Sequence, residues 1–254
     1  MKQKISYLGA LVITLMCVCT SSFAQSEVKS PAAVTPAAAT NAPTVAITAD
    51  TSPQDLARAA VAAHGGEKFK NLKSMVLRGA DDLYAPNSTQ ARPGGFIIVT
   101  AGDKTRIEID ASPIIAFKQI DDGQRTYSSL PGVELPPVSR FGLSVLGKFD
   151  QAGYRVTAIP DKKKQRGFRI SDADGYATDF YIDPANGRVM SFLINYNGYV
   201  FGTEHKKFKE VDGVLVPSSF SQRLEMTQGA FFADYNAKDI KLNNPIGDDV
   251  FVIP

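Results

Sequence analysis

The sequence predicts a mainly β protein: a single antiparallel sheet of about ten strands accompanied by a few helices. Three features carry that expectation. From Tyr176 to Pro254 the chain is a succession of hydrophobic runs joined by tight turns. Within it, Asp183-Pro184-Ala185-Asn186-Gly187, Asn197-Gly198 and Asp212-Gly213 are turn sequences, since Pro presets φ and Asn-Gly or Asp-Gly supplies the positive φ of a hairpin. The runs between them are rich in β-branched and aromatic residues, which suit a pleated, half-buried surface.

The elements follow in chain order. Residues 1 to 24 read as a secretory signal: Lys2 and Lys4, an apolar run from Ile5 to Cys19, then Ser22-Phe23-Ala24 at a small-x-small site. That run is too short for a membrane span. Cys17 and Cys19 lack the small residues that precede a lipidated cysteine, so the expected mature chain begins near Gln25 with no anchor and no thiol. Residues 25 to 50, rich in Ala, Pro and Thr, cannot bury enough surface to offset their ordering entropy and are expected to be a flexible leader. One domain is expected over 51 to 254.

The domain opens with a helix. Ser52 caps it, Pro53 takes the first position, Asp55 follows the cap by three residues, and Leu56, Ala59, Ala60 and Ala63 line one side before Gly65-Gly66. Strands are expected at Ser74 to Tyr84, Gly95 to Ala101, Lys104 to Ala111, Pro113 to Ile120 and Gln124 to Leu130. In Arg106-Ile107-Glu108-Ile109-Asp110 the isoleucines fall on one face and the charges on the other. A second helix is expected from Val138 to Phe149, where Val138, Phe141, Val145 and Phe149 recur at helical steps, although Gly142 and Gly147 weaken it.

Charge and chemistry exclude more than they offer. There are 28 basic and 26 acidic residues, and losing Lys2 and Lys4 leaves 26 of each, so no basic surplus exists for a nucleic-acid partner. The two histidines, His64 in the last helical turn and His205 in a charged strand, have no metal-ligand spacing. Gly142-Leu143-Ser144-Val145-Leu146-Gly147 misses a nucleophile elbow by one residue. Asp81-Asp82, Asp121-Asp122 and Asp248-Asp249 read as solvated turns. No phosphate loop or dinucleotide fingerprint occurs, and neither a cofactor nor a metal is expected. Two basic clusters, Lys162 to Arg166 and His205 to Lys209, read either as solubilising turns or, if they meet, as an anionic-lipid contact.

Four motifs in order resemble the LolA-like proteins of the bacterial periplasm and their secreted relatives. These are Asp122-Gly123-Gln124-Arg125-Thr126-Tyr127, Tyr181-Ile182-Asp183-Pro184, Phe208 through Asp212-Gly213 to Pro217, and Asn244-Pro245-Ile246 through Phe251-Val252-Ile253-Pro254, similar to a closing strand. The resemblance implies a strongly curved, incomplete barrel whose concave face is covered by helices and holds acyl chains. It also implies a buried arginine, for which Arg78 and Arg92 are the candidates.

The expected function is that of a periplasmic, non-enzymatic, monomeric binding protein that holds a lipid or the acyl part of a lipoprotein and releases it by opening helix-covered contacts, with an inner- or outer-membrane protein as candidate partner. Its cavity would be lined by Phe96, Ile98, Ile107, Ile109, Phe117, Phe141, Phe180, Ile182, Phe192 and Ile194, which fall mostly at alternate strand positions. A filled core is the bland reading of the same pattern. An envelope sensor or scaffold that binds a protein is the alternative function, and a cofactor-free enzyme is disfavoured by the scarcity of acid-base residues.

Overall fold

The computed structural model describes residues 46–254 except 114, 130–135 and 227–228. The signal segment and most of the leader lie outside the described residues. Twelve strands are described: β1 (Ser74–Tyr84), β2 (Arg92–Ala101), β3 (Lys104–Ala111), β4 (Ile115–Asp121), β5 (Thr126–Ser128), β6 (Arg155–Ala158), β7 (Arg166–Ser171), β8 (Ala177–Ile182), β9 (Val189–Tyr196), β10 (Tyr199–Val211), β11 (Val214–Met226) and β12 (Gly229–Leu242). They form one sheet in the order β5-β4-β3-β2-β1-β12-β11-β10-β9-β8-β7-β6. Two meanders thus meet at an antiparallel seam between β1 and β12.

The connection from β5 to β6 crosses from one edge of the sheet to the other, and it measures the curvature. Ser139 Oγ donates to Asp121 Oδ2 at the end of β4 (3.1 Å), and three residues later the Gly142 N–H donates to Thr178 Oγ1 on β8 (3.1 Å). Three residues reach about 10 Å. In a flat sheet β4 and β8 would stand eight strand spacings, roughly 38 Å, apart. The sheet is therefore curled into an incomplete barrel, with the crossover strapped over its open side.

Helix α1 (Pro53–Ala63) starts as its sequence dictates: Ser52 Oγ accepts from the Asp55 N–H (3.1 Å) and donates to the Asp55 carboxylate (2.7 Å). Its buried face is Leu56, Ala57, Ala60 and Val61 rather than the expected Leu56, Ala59, Ala60 and Ala63, because the larger Leu and Val take the core. Ala59 and Ala63 lie instead against the β8–β9 turn at Gly187, where an added Cβ would come within 2.9 Å of the Ala59 carbonyl.

The second expected helix is broken. Residues Val138–Arg140 form a 3-10 turn, Gly142 takes φ +59, and only Leu143–Leu146 (α3) is α-helical. The Phe192 ring fills the space a Gly142 side chain would need, with its Cζ 2.9 Å from an ideal Cβ. The expected closing strand is also absent: after β12 the chain makes a 3-10 turn at Asp248–Phe251, and Phe251 packs with Val76, Val99 and Ile120 on the outer face of the sheet.

Candidate functional site

Cross-strand register defines one inner face across the sheet. Leu77 on β1 stands opposite Ile98 on β2, Ile98 opposite Ile107 on β3, and Ile107 opposite Gln119 on β4. On the other side of the seam the row runs through Tyr235, Phe220 and His205, and a neighbouring row through Thr203, Phe192, Phe180 and Phe168.

That face is covered unevenly. Over β6–β9, α1 and α3 close it: Leu56, Ala60, Val61 and Leu146 pack with Phe168, Phe180, Ile182 and Val189 in a cluster that leaves Phe180 and Ile182 fully buried. Phe168 stacks on Phe180 at 5.2 Å, and Phe180 meets Phe192 at 6.1 Å. Over β1–β4 and β10–β12 a second cluster holds Phe96, Ile109, Phe220 and Tyr235, and here Leu83, Ile98, Ile107 and Phe117 are only half-buried.

The ten residues expected to line a cavity therefore divide. Phe180, Ile182 and Phe192 belong to the helix-covered cluster, and Phe96, Ile98, Ile107, Ile109 and Phe117 to the second. Ile194 is buried opposite Phe201 of β10, and Phe141 packs edge-on against Tyr176 and Tyr196. Arg78 and Arg92, the candidates for a buried arginine, are both exposed. The two basic clusters are separated across the sheet by β8 and β9, and Lys206 pairs with Asp234 (2.8 Å).

Asp81, His64 and His205 are polar side chains on or beneath this face that were not expected there, and Asp121, read as part of a solvated turn, is likewise buried at the end of β4. Asp81 is not in a turn but inside β1, 3% exposed. His64 is fully buried at the end of α1, where its Nδ1 donates to the Leu215 carbonyl (2.8 Å) and its Nε2 accepts from the Val189 N–H (3.2 Å). His205, 4% exposed, donates from Nδ1 to the Val189 carbonyl (2.7 Å). Both groups of one peptide residue on β9 are thus held by imidazoles. The strand alternation Phe201-Thr203-His205 against Glu204 and Lys206 was the available signal for His205; no local pattern marked Asp81 or His64.

Burial holds both imidazoles neutral, lowering His64 and bringing His205 to about 4. In the unfolded chain His205 protonates near 6.5, so between 6.5 and about 4 the unfolded state binds more protons and stability falls as pH falls, by up to roughly 3 kcal/mol. His205→Asn keeps a donor toward Val189 but does not titrate. In urea unfolding across pH 7 to 4, the wild type is expected to lose about 3 kcal/mol relative to this variant; a difference independent of pH would contradict the assignment.

Both His64 nitrogens are occupied by backbone, Ser144 is exposed on α3, and among the described residues no three His, Cys, Asp or Glu side chains gather as a metal site. No described helix is long and apolar enough to cross a membrane.

No family model and no curated protein matches the sequence. Among solved structures, a LolA superfamily protein from Nitrosomonas europaea superposes with a TM-score of 0.53 at 12% identity, covering 80% of this chain and 98% of that one. A putative outer membrane lipoprotein-sorting protein domain from Vibrio parahaemolyticus gives 0.47 at 11% identity, covering 78% and 95%. A DUF1329 family protein from Desulfovibrio piger gives 0.46 at 7% identity, covering 80% and 98%. The chain has a LolA-like fold.

Proposed function

We propose that this chain is a secreted, periplasmic, non-enzymatic carrier that holds the acyl chain of a lipid or lipoprotein on the inner face of its sheet. The observation that supports this reading is the uneven lid: α1 and α3 close the β6–β9 half, while Leu83, Ile98, Ile107 and Phe117 remain half-buried on the other. A methylene moved from water onto such a wall contributes about 0.8 kcal/mol, so about ten of them supply roughly 8 kcal/mol before the costs of association. The signal read in residues 1 to 24 supplies the route to the periplasm. A protein ligand is the second reading, favoured by Phe231 and Phe232, 39% and 43% exposed near the start of β12.

The test is displacement of a fluorescent fatty acid from the wild type and from Ile107→Glu, with circular dichroism as the fold control. Ile107 is half-buried, so the variant is expected to fold and to bind at least about tenfold more weakly, since a buried carboxylate opposes an apolar chain. A wild type that binds neither a fatty acid nor a long-chain amine, or a folded variant that binds as well as the wild type, would remove this reading and leave the protein ligand ahead.

A further inference from the structure

Asp81 lies on the inner row of β1 between Gly79 and Leu83, opposite Gly94 on β2 and Tyr235 on β12. It is 3% exposed, and neither carboxylate oxygen has a hydrogen-bond partner. Among the described residues no other carboxyl has both oxygens buried and unpartnered. The protein does satisfy a comparable group: Asp121, equally buried, accepts from the Gly123 N–H (3.0 Å) and the Ser139 hydroxyl (3.1 Å). An unpaired buried carboxyl costs stability, and a native fold that keeps one needs a reason.

No neighbouring side chain supplies a donor to Asp81. Gly94 stands opposite it, and an added Cβ there would crowd the Asp110 carbonyl at 2.8 Å and Asp81 Oδ1 at 3.1 Å, so the carboxylate occupies the space that a side chain at position 94 would need. Tyr235 makes no hydrogen bond to Asp81; its ring is packed against Phe96 (5.0 Å) and Phe220 (4.8 Å). Burial, aided by the charge of Asp82, raises the Asp81 carboxyl to about 6, so at pH 8 it is ionised without a counter-charge. From Gly94, opposite Asp81, to Ile98 is four residues along β2, about 13 Å, which places the half-buried Ile98 and Ile107 one short alkyl chain away.

We propose that Asp81 anchors the headgroup of the bound amphiphile, and that the headgroup is a primary ammonium, whose N–H donors and positive charge supply what the carboxylate lacks. This rests on the acyl-chain reading of the same face and specifies it: among single-chain amphiphiles the site prefers amines to carboxylates. A neutral amide at position 81 removes the charge while keeping the shape, so it abolishes the preference without removing the apolar wall.

The experiment is isothermal titration of the full chain with dodecylamine and with dodecanoate, both below micelle formation, at pH 8. The wild type is expected to bind the amine at least about tenfold more tightly, and Asp81→Asn to bring the two within about twofold, consistent with an ion pair desolvated at the site. Asp81→Asn should also melt at or above the wild-type temperature, because it removes an unpaired charge; Asp81→Ser serves if the amide variant does not fold. A wild type that binds both ligands equally, or a variant that keeps the full preference, overturns the ammonium anchor and leaves the acyl-chain reading standing. Binding of neither ligand overturns both.

Discussion

His64→Ala is expected to lower the unfolding free energy by about 4 kcal/mol, because it removes the side-chain partner of one buried and one part-buried backbone group at about 1–3 kcal/mol each and also removes a packed ring. The imidazole runs from the end of α1 to strands that do not touch each other: Leu215 is on β11 and Val189 on β9, with β10 between them. Its own main chain adds a third tie, as the His64 carbonyl accepts from the Leu215 N–H at 3.1 Å. The ring also packs against Phe69 and Phe208. His64→Gln restores one bond and should lose about half as much. Urea unfolding at neutral pH measures both; a loss below about 1 kcal/mol for the alanine variant would show that the helix is held by its apolar face alone.

Phe180→Glu is the second large effect, and its contrast with Ile107→Glu separates the filled half of the inner face from the open half. Phe180 is fully buried beneath α1 and α3, stacked on Phe168 at 5.2 Å and meeting Phe192 at 6.1 Å. A carboxylate in that position has no water, at a cost of several kcal/mol, enough to unfold a domain of ordinary stability. The expected result is loss of the strand signal in circular dichroism for Phe180→Glu and its retention for Ile107→Glu. If Phe180→Glu melts within about 5 °C of the wild type, a shift worth roughly 1–2 kcal/mol, the β6–β9 half is not a filled core.

The strand-and-turn plan was legible because its signals are local. Asn197-Gly198 and Asp212-Gly213 both adopt positive φ in succession, as their sequences require, and Gly123 and Gly187 do so at the other expected turns. The helix cap at Ser52 and Asp55 is equally local. What escaped depends on partners distant in sequence. The second helix failed because Gly142 faces Phe192, fifty residues on, and adopts a conformation that no helical step pattern records. Asp81 and Asp82 look alike in sequence, yet strand alternation turns one inward, and only the register with Gly94 and Tyr235 shows that it meets no donor. His64 read as a helix-end residue; its ring partners lie on strands that come more than a hundred residues later. For the apolar residues, alternation marked the inner face but not where α1 and α3 would cover it.

The seam between β1 and β12 has a consequence for how the chain reaches this state. β1 pairs with β12 along its length, from Met75 with Leu242 to Tyr84 with Phe232, residues on the order of 150 apart in sequence. The hairpins of β1 to β5 can form from local contacts as the chain emerges, but one side of β1 then stays unpaired until the final strand has been made. Loop closure over that distance makes folding slow, and an open strand edge is a template for addition of a strand from another molecule. A chain released before β12 would therefore carry a nearly complete first meander with a bare edge, the form most prone to aggregate, so the last strand decides whether the first ones are safe.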